Sequence, residues 1–90
     1  MMTNTATSDV EDQIKDILIG ELYVESSKDQ IGPDDSLREA LGIDSLGFIE
    51  LKEQIEKKFR VGIPEEDFTP ENFATIATLK ALIGRHRAPA

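Results

Sequence analysis

The chain has no cysteine and no tryptophan. Without cysteine there is no disulfide framework, no thiol nucleophile and no thiolate metal site. Stability must come from packed helices or strands. Aromatics are scarce, at four Phe and one Tyr, so the core must be mostly aliphatic. No run approaches the roughly 18 apolar residues that span a bilayer. The opening stretch, MMTNTATSD, has neither a basic nor an apolar segment and does not read as a secretory signal. The expectation is a soluble cytoplasmic protein with no membrane contact. Bases are few as well, 10 against 18 acids, for a net charge of −8. A phosphate-backbone binder needs a basic patch, which argues against nucleic acid as a partner and against a helix-turn-helix DNA binder. The acid excess suits a monomer that meets basic partners.

Ninety residues, 39% of them apolar, support one modest domain. Val10, Ile14, Ile17, Leu18 and Leu22 recur at helical spacing. With Ser8 or Asp9 as a cap and acids in the first turn, they predict a helix over 9–23, its packing face closed by Tyr23 and Val24. Residues 25–43 show no sustained period, and Gly32-Pro33 breaks any helix there. Ser36 caps at most a short turn ended by Gly42, and Ile31, Leu37, Leu41 and Ile43 can pin the segment to a core. A second helix is predicted over 45–60, with Phe48, Leu51, Ile55 and Phe59 on one face and Gly62 and Pro64 stopping it. Thr69 and Pro70 start one turn through Phe73. Thr75 caps a last helix carrying Ile76, Leu79, Leu82 and Ile83, with Gly84 as its stop. No strand alternation or internal repeat appears. The fold class is all-α: a small four-helix bundle of three main helices and one short one, with a long first crossover loop. Residues 1–8 and 85–90 read as flexible tails around a domain spanning 9–84.

The chemistry is concentrated in LGIDSLGFIEL, Leu41 to Leu51. Ser45 stands beside Asp44 where a loop turns into the second helix. Backbone N–H groups there lack partners and the helix dipole is positive, so a phosphate ester on that hydroxyl would sit in a favourable field. The plainer reading is that Asp44 and Ser45 only cap the helix, and the residue pattern by itself favours it. At about 100° per residue, Leu46 lies about 160° from Phe48. It shares the outer face with Glu50, Glu53 and Lys57, an exposed leucine next to Ser45.

GIDSLGFIELKEQIEKKF, followed by VGIPEEDF and TIATLKALI, resembles the acyl carrier proteins of fatty-acid and polyketide synthesis and their relatives in peptide synthesis. The likeness covers about residues 9–84 and rests on Asp44-Ser45-Leu46, Ile49-Glu50-Leu51 and Phe59 in one register. It implies a carrier that is not itself an enzyme. A phosphopantetheinyl transferase would join 4′-phosphopantetheine from coenzyme A to Ser45, beside the motif residue Asp44. Thiol chemistry thereby becomes possible in a chain with no cysteine. It further implies loading and use by an acyltransferase, a ketosynthase or an acyl or adenylating ligase, with Leu46, Ile49, Glu50 and Glu53 as the recognition surface. Gly47 stands where the family often has a polar residue. The alternatives are an aryl or peptidyl carrier loaded by an adenylating enzyme, and a helical interaction module with no cofactor and Ser45 as a cap.

Charge is uneven. Residues 1–43 carry ten acids and three bases, and residues 44–60 carry four of each. Steering charge is therefore expected outside the second helix, at Asp34, Asp35 and Glu39 or at Glu65, Glu66 and Asp67. These acids lack EF-hand spacing. His86, the single histidine, has no second ligand nearby in sequence, so no metal site is expected.

Overall fold

The computed structural model describes residues 6–87. These form three helices, α1 (Ala6–Gly20), α2 (Ser45–Phe59) and α3 (Ile76–His86). Two 3-10 turns lie between them, Lys28–Gln30 and Glu65–Asp67. There is no strand among the described residues, and no described helix is long and apolar enough to cross a membrane.

Each helix buries the stripe its sequence marks. Ile14, Ile17 and Leu18 of α1, Leu51, Ile55 and Phe59 of α2, and Ile76, Leu79, Leu82 and Ile83 of α3 form one core. Burying each such side chain is worth about 1.5–3 kcal/mol. The long crossover is pinned by the residues expected to pin it: Ile31, Leu37 and Ile43 are buried and Leu41 packs against the core. Its backbone is tied as well. Leu37 N–H donates to the Ala74 carbonyl at 2.9 Å, and Ala77 N–H donates to that of Pro33 at 2.9 Å. The turn after Ser36 forms as its sequence indicates. Ser36 Oγ accepts from Glu39 N–H at 3.0 Å, and Gly42 closes the turn at φ +75°, a conformation open to glycine. The predicted short turn is present too, with Thr69 Oγ1 accepting from Asn72 N–H at 3.1 Å and the Thr69 carbonyl from Phe73 N–H at 3.0 Å.

The boundaries differ in three places. The first helix begins at Ala6, before the expected cap, and ends at Gly20, not at Tyr23. Ala is the strongest helix former, and acidic Asp9 is as favourable inside the first turn as at its edge. Tyr23 does not close a packing face. It is 80% exposed and takes φ +60°, where it reverses the chain so that Val24 N–H can reach the Leu18 carbonyl at 2.9 Å. At the other end, α3 runs two residues past Gly84. His86 Nε2 lies 2.6 Å from Asp67 Oδ2, and Arg85 donates to Asn72 Oδ1 at 3.3 Å. Arg87 then lies over the Phe59 ring, 5.6 Å from its centroid. These contacts order residues 85–87, expected to be part of a loose tail. Of the predicted flexible tails, residues 1–5 and 88–90 lie outside the described residues, and residues 6–8 are helical.

The far end of α2 is fixed differently from its start. Arg60 turns left-handed at φ 56°. Glu56 then accepts from Ile63 N–H at 2.9 Å and pairs with Lys52 at 3.3 Å. The Ile63 N–H, with a smaller contribution from Lys52, holds the Glu56 carboxyl below its ordinary value of 4.5 despite partial desolvation.

Candidate functional site

Asp44 and Ser45 have distinct jobs. Asp44 is the N-cap of α2, and its Oδ1 accepts from Gly47 N–H at 2.9 Å. The Asp44 carbonyl takes Phe48 N–H at 2.9 Å. Ser45 is the first helical residue and is exposed. Its hydroxyl has no hydrogen-bond partner among the described residues. The plain capping reading therefore belongs to Asp44.

The neighbours are placed by the helix. Leu46 is 76% and Ile49 45% exposed, so the predicted outward leucine is where the wheel put it. Glu53 is exposed and Glu50 half-buried, with Glu50 accepting from Gln54 at 2.7 Å. Phe48 is displaced from expectation. It is only half-buried and meets the Phe73 ring edge-on, with centroids 6.5 Å apart. The centre of the buried stripe lies further along, at Leu51 and Ile55, because residues 68–74 cover only one flank of the first turn.

Two recesses flank Ser45. One is a cleft of about 380 Å³ toward residues 68–74. Phe48 and Ile49 form one wall, and Phe68, Pro70 and Phe73 form the other. Ser45 and Arg38 also line it, and among the described residues Arg38 is the only charged one that does. The other is an open groove of about 680 Å³ between the end of α1 and the start of α2. Leu46 and Tyr23 line it together with Glu21, Glu25, Asp44 and Glu50, and no base does.

Gly47 makes this arrangement possible. A Cβ there would stand 2.8 Å from Ile43 Cγ2 and 3.8 Å from Leu22 Cδ2. The first turn of α2 thus sits closer to Ile43 of the preceding loop than a side chain would allow without a shift, while the approach to Leu22 is an ordinary contact. The glycine that departs from the family pattern has a steric reason. Its position in a helix's first turn was the sequence signal for it.

The other acids considered for steering are differently employed. Asp35 Oδ2 accepts from Gly32 N–H at 2.8 Å, and Asp67 is engaged by His86. Asp34, Glu39, Glu65 and Glu66 remain exposed. Glu21 and Glu25, which the sequence did not single out, are the ones that share a groove with Asp44 and Leu46. Among the described residues no group of three or more His, Asp or Glu is placed to hold a metal. His86, clasped to Asp67, is not among the residues lining either recess.

An accessible hydroxyl on a rigid helix start, with the cap already supplied by its neighbour and an open cleft beside it, fits a bulky phosphoester. Residues 12–84 match the family described as "Phosphopantetheine attachment site". The chain is 38% identical over 60 residues to the acyl carrier protein of Chlorobium phaeovibrioides, covering 67% of this chain and 74% of that one. It is 38% identical over 58 residues to that of Chlorobium phaeobacteroides, covering 64% and 72%. With that of Streptomyces coelicolor the identity is 40% over 58 residues, covering 61% and 59%. The chain belongs to the phosphopantetheine-attachment family, among the acyl carrier proteins. Such a protein is a carrier and not a catalyst, and its cofactor is covalently attached 4′-phosphopantetheine.

Proposed function

We propose that Ser45 is the attachment residue and that the protein carries acyl intermediates of a fatty-acid or polyketide type of pathway in the cytoplasm. The observation that carries this reading is the division of labour at the head of α2. Asp44 satisfies the Gly47 N–H and leaves the Ser45 hydroxyl exposed and unbonded. The arm, when bound, supplies a terminal thiol that holds acyl groups as thioesters. The protein's part is to present and to be recognised. Leu46 and Ile49 offer apolar contact at the root of the arm, and Glu50 and Glu53 give orientation. The acidic groove with Tyr23 extends that surface toward α1 and complements a basic partner such as the transferase.

The test is incubation with coenzyme A and a promiscuous phosphopantetheinyl transferase, followed by peptide mass spectrometry. A mass gain located on Ser45, and lost in Ser45→Ala with the helical content unchanged, is the expected result. A gain that persists in the Ala variant would move the site elsewhere.

A further inference from the structure

Arg38 is placed with unusual firmness for an exposed residue. Leu37, just before it, is fully buried. That residue donates to the Ala74 carbonyl at 2.9 Å and accepts from Ile43 N–H at 3.1 Å. The carbonyl of Arg38 itself accepts from Gly42 N–H at 3.1 Å. Held on both sides, the side chain lies over the Phe48 ring, its guanidinium carbon 5.8 Å from the centroid. Phe48 is three residues beyond Ser45, on the same side of the helix, and all three residues line one cleft.

Among the described residues Arg38 has no carboxylate partner, although acids outnumber bases 18 to 10 in this chain. Lys28 has two and Lys52 and Lys80 one each; Lys15, Lys57, Lys58, Arg60, Arg85 and Arg87 lack one as Arg38 does, but of these bases only Arg38 lines the cleft beside Ser45. No carboxylate lines its cleft either, whereas the groove on the other side of Ser45 has four and no base. An anion fixed at Ser45 therefore meets one unpaired cation on one side and only acids on the other. The planar, permanently charged guanidinium suits a phosphate oxygen pair better than an ammonium does.

We propose that Arg38 is a positioning residue for the arm. Its guanidinium pairs with the phosphodiester at Ser45 and sets the root of the arm toward the Phe48–Phe73 cleft and away from the acidic groove. The proposal rests on Ser45 being the attachment residue, and the test separates the two.

Wild type, Arg38→Gln and Arg38→Lys are incubated with coenzyme A and the transferase, and mass spectrometry locates the arm. Phosphorus NMR and the Arg38 Nε–Hε correlation are then recorded with and without the arm. In wild type the Nε–Hε resonance should shift on loading, and no shift should follow the same treatment of Ser45→Ala. The phosphorus resonance of loaded Arg38→Gln should move to that of the same arm on a short unfolded peptide. Arg38→Lys should fall between the two, and added salt should carry wild type toward the Gln position. Loading on Ser45 with an unmoved Nε–Hε resonance and one phosphorus shift for all variants would overturn the pairing alone. No mass gain on Ser45 of the wild type would overturn the attachment reading, and the pairing with it.

Discussion

The two recesses beside Ser45 differ in both charge and construction. The cleft toward residues 68–74 is walled by rings, with Phe68 and Phe73 edge-on at 4.9 Å and Phe73 and Phe48 at 6.5 Å. Among the described residues Arg38 is its only charge. The groove toward α1 has two exposed apolar side chains, Tyr23 and Leu46, set among Glu21, Glu25, Asp44 and Glu50. Residues 44–60 sum to zero charge, so α2 by itself has no polarity to offer. The polarity comes from what is brought against its first turn: the end of α1 on one flank and the Ser36–Leu41 turn with residues 68–74 on the other. Gly47 lets the first turn sit close against Ile43. A helix of zero net charge thus stands between an acidic groove and a cleft lined by Arg38.

The largest expected effect comes from removing the wall of the ring-lined cleft. Phe73 is 2% exposed, and Phe73→Ala should cost about 3–5 kcal/mol by urea unfolding. A loss under about 1 kcal/mol would mean the cleft is held open by something other than its rings. Gly47→Ala addresses the close approach of α2 to Ile43. In an ordinary helix this exchange gains up to about 1 kcal/mol. Here the new methyl would meet Ile43 Cγ2 at 2.8 Å, on a buried side chain with little room to move. Overpacking of about 1–3 kcal/mol should outweigh the gain, giving a lower melting temperature. A higher one would show that Ile43 can give way to the new methyl.

Glu56→Gln is smaller and serves as the control, since Glu56 lines neither recess. The variant keeps an acceptor for Ile63 N–H and loses the charge. It should cost about 1 kcal/mol at neutral pH and leave arm loading unchanged. The Glu56 carboxyl is depressed in the folded state, so the folded protein holds that proton less tightly than the unfolded chain. Its stabilisation is complete above the ordinary 4.5 and is lost as pH falls through the depressed value. Urea unfolding across acidic pH should show wild type and Glu56→Gln converging there. Parallel curves would remove Glu56 from the acid sensitivity of the fold.

Much of this was legible in the residues. The second helix begins where Asp44-Ser45 begins it, because the cap acts locally, and ends within one residue of expectation, although its stop is the left-handed Arg60 and not Gly62 or Pro64. The buried stripes of the three helices follow from a period that the core enforces. Tyr23 was misread because its left-handed turn depends on a hydrogen bond to Leu18, which no local pattern announces. Val61, Ile63 and Phe73 join the core as single apolar residues in loops, where there is no period to find them by. No sequence pattern singles out Arg38. Only the burial of Leu37 and the position of Phe48 give it a direction.

The last contrast is between the exposed residues of the groove and the stability of the protein. Leu46 and Tyr23 bury little, so Leu46→Asp and Tyr23→Ser should each change stability by no more than about 0.5 kcal/mol. Tyr23→Ser removes an aromatic contact and no charge, while Leu46→Asp puts a fifth acid where apolar contact is expected. An apolar anchor mainly governs dissociation, and rim charges mainly govern encounter. Leu46→Asp should therefore raise the transferase KM at all salt concentrations. Replacing Glu21 and Glu25 by Gln should slow arm transfer chiefly at low salt, because exposed charges are screened within about 10 Å at 0.1 M. Transferase kinetics across a salt series distinguish the two behaviours. Wild-type kinetics for Leu46→Asp, with an unchanged circular dichroism spectrum, would take Leu46 out of the recognition surface. Salt-independent slowing in the Gln pair would take the groove's charge out of it.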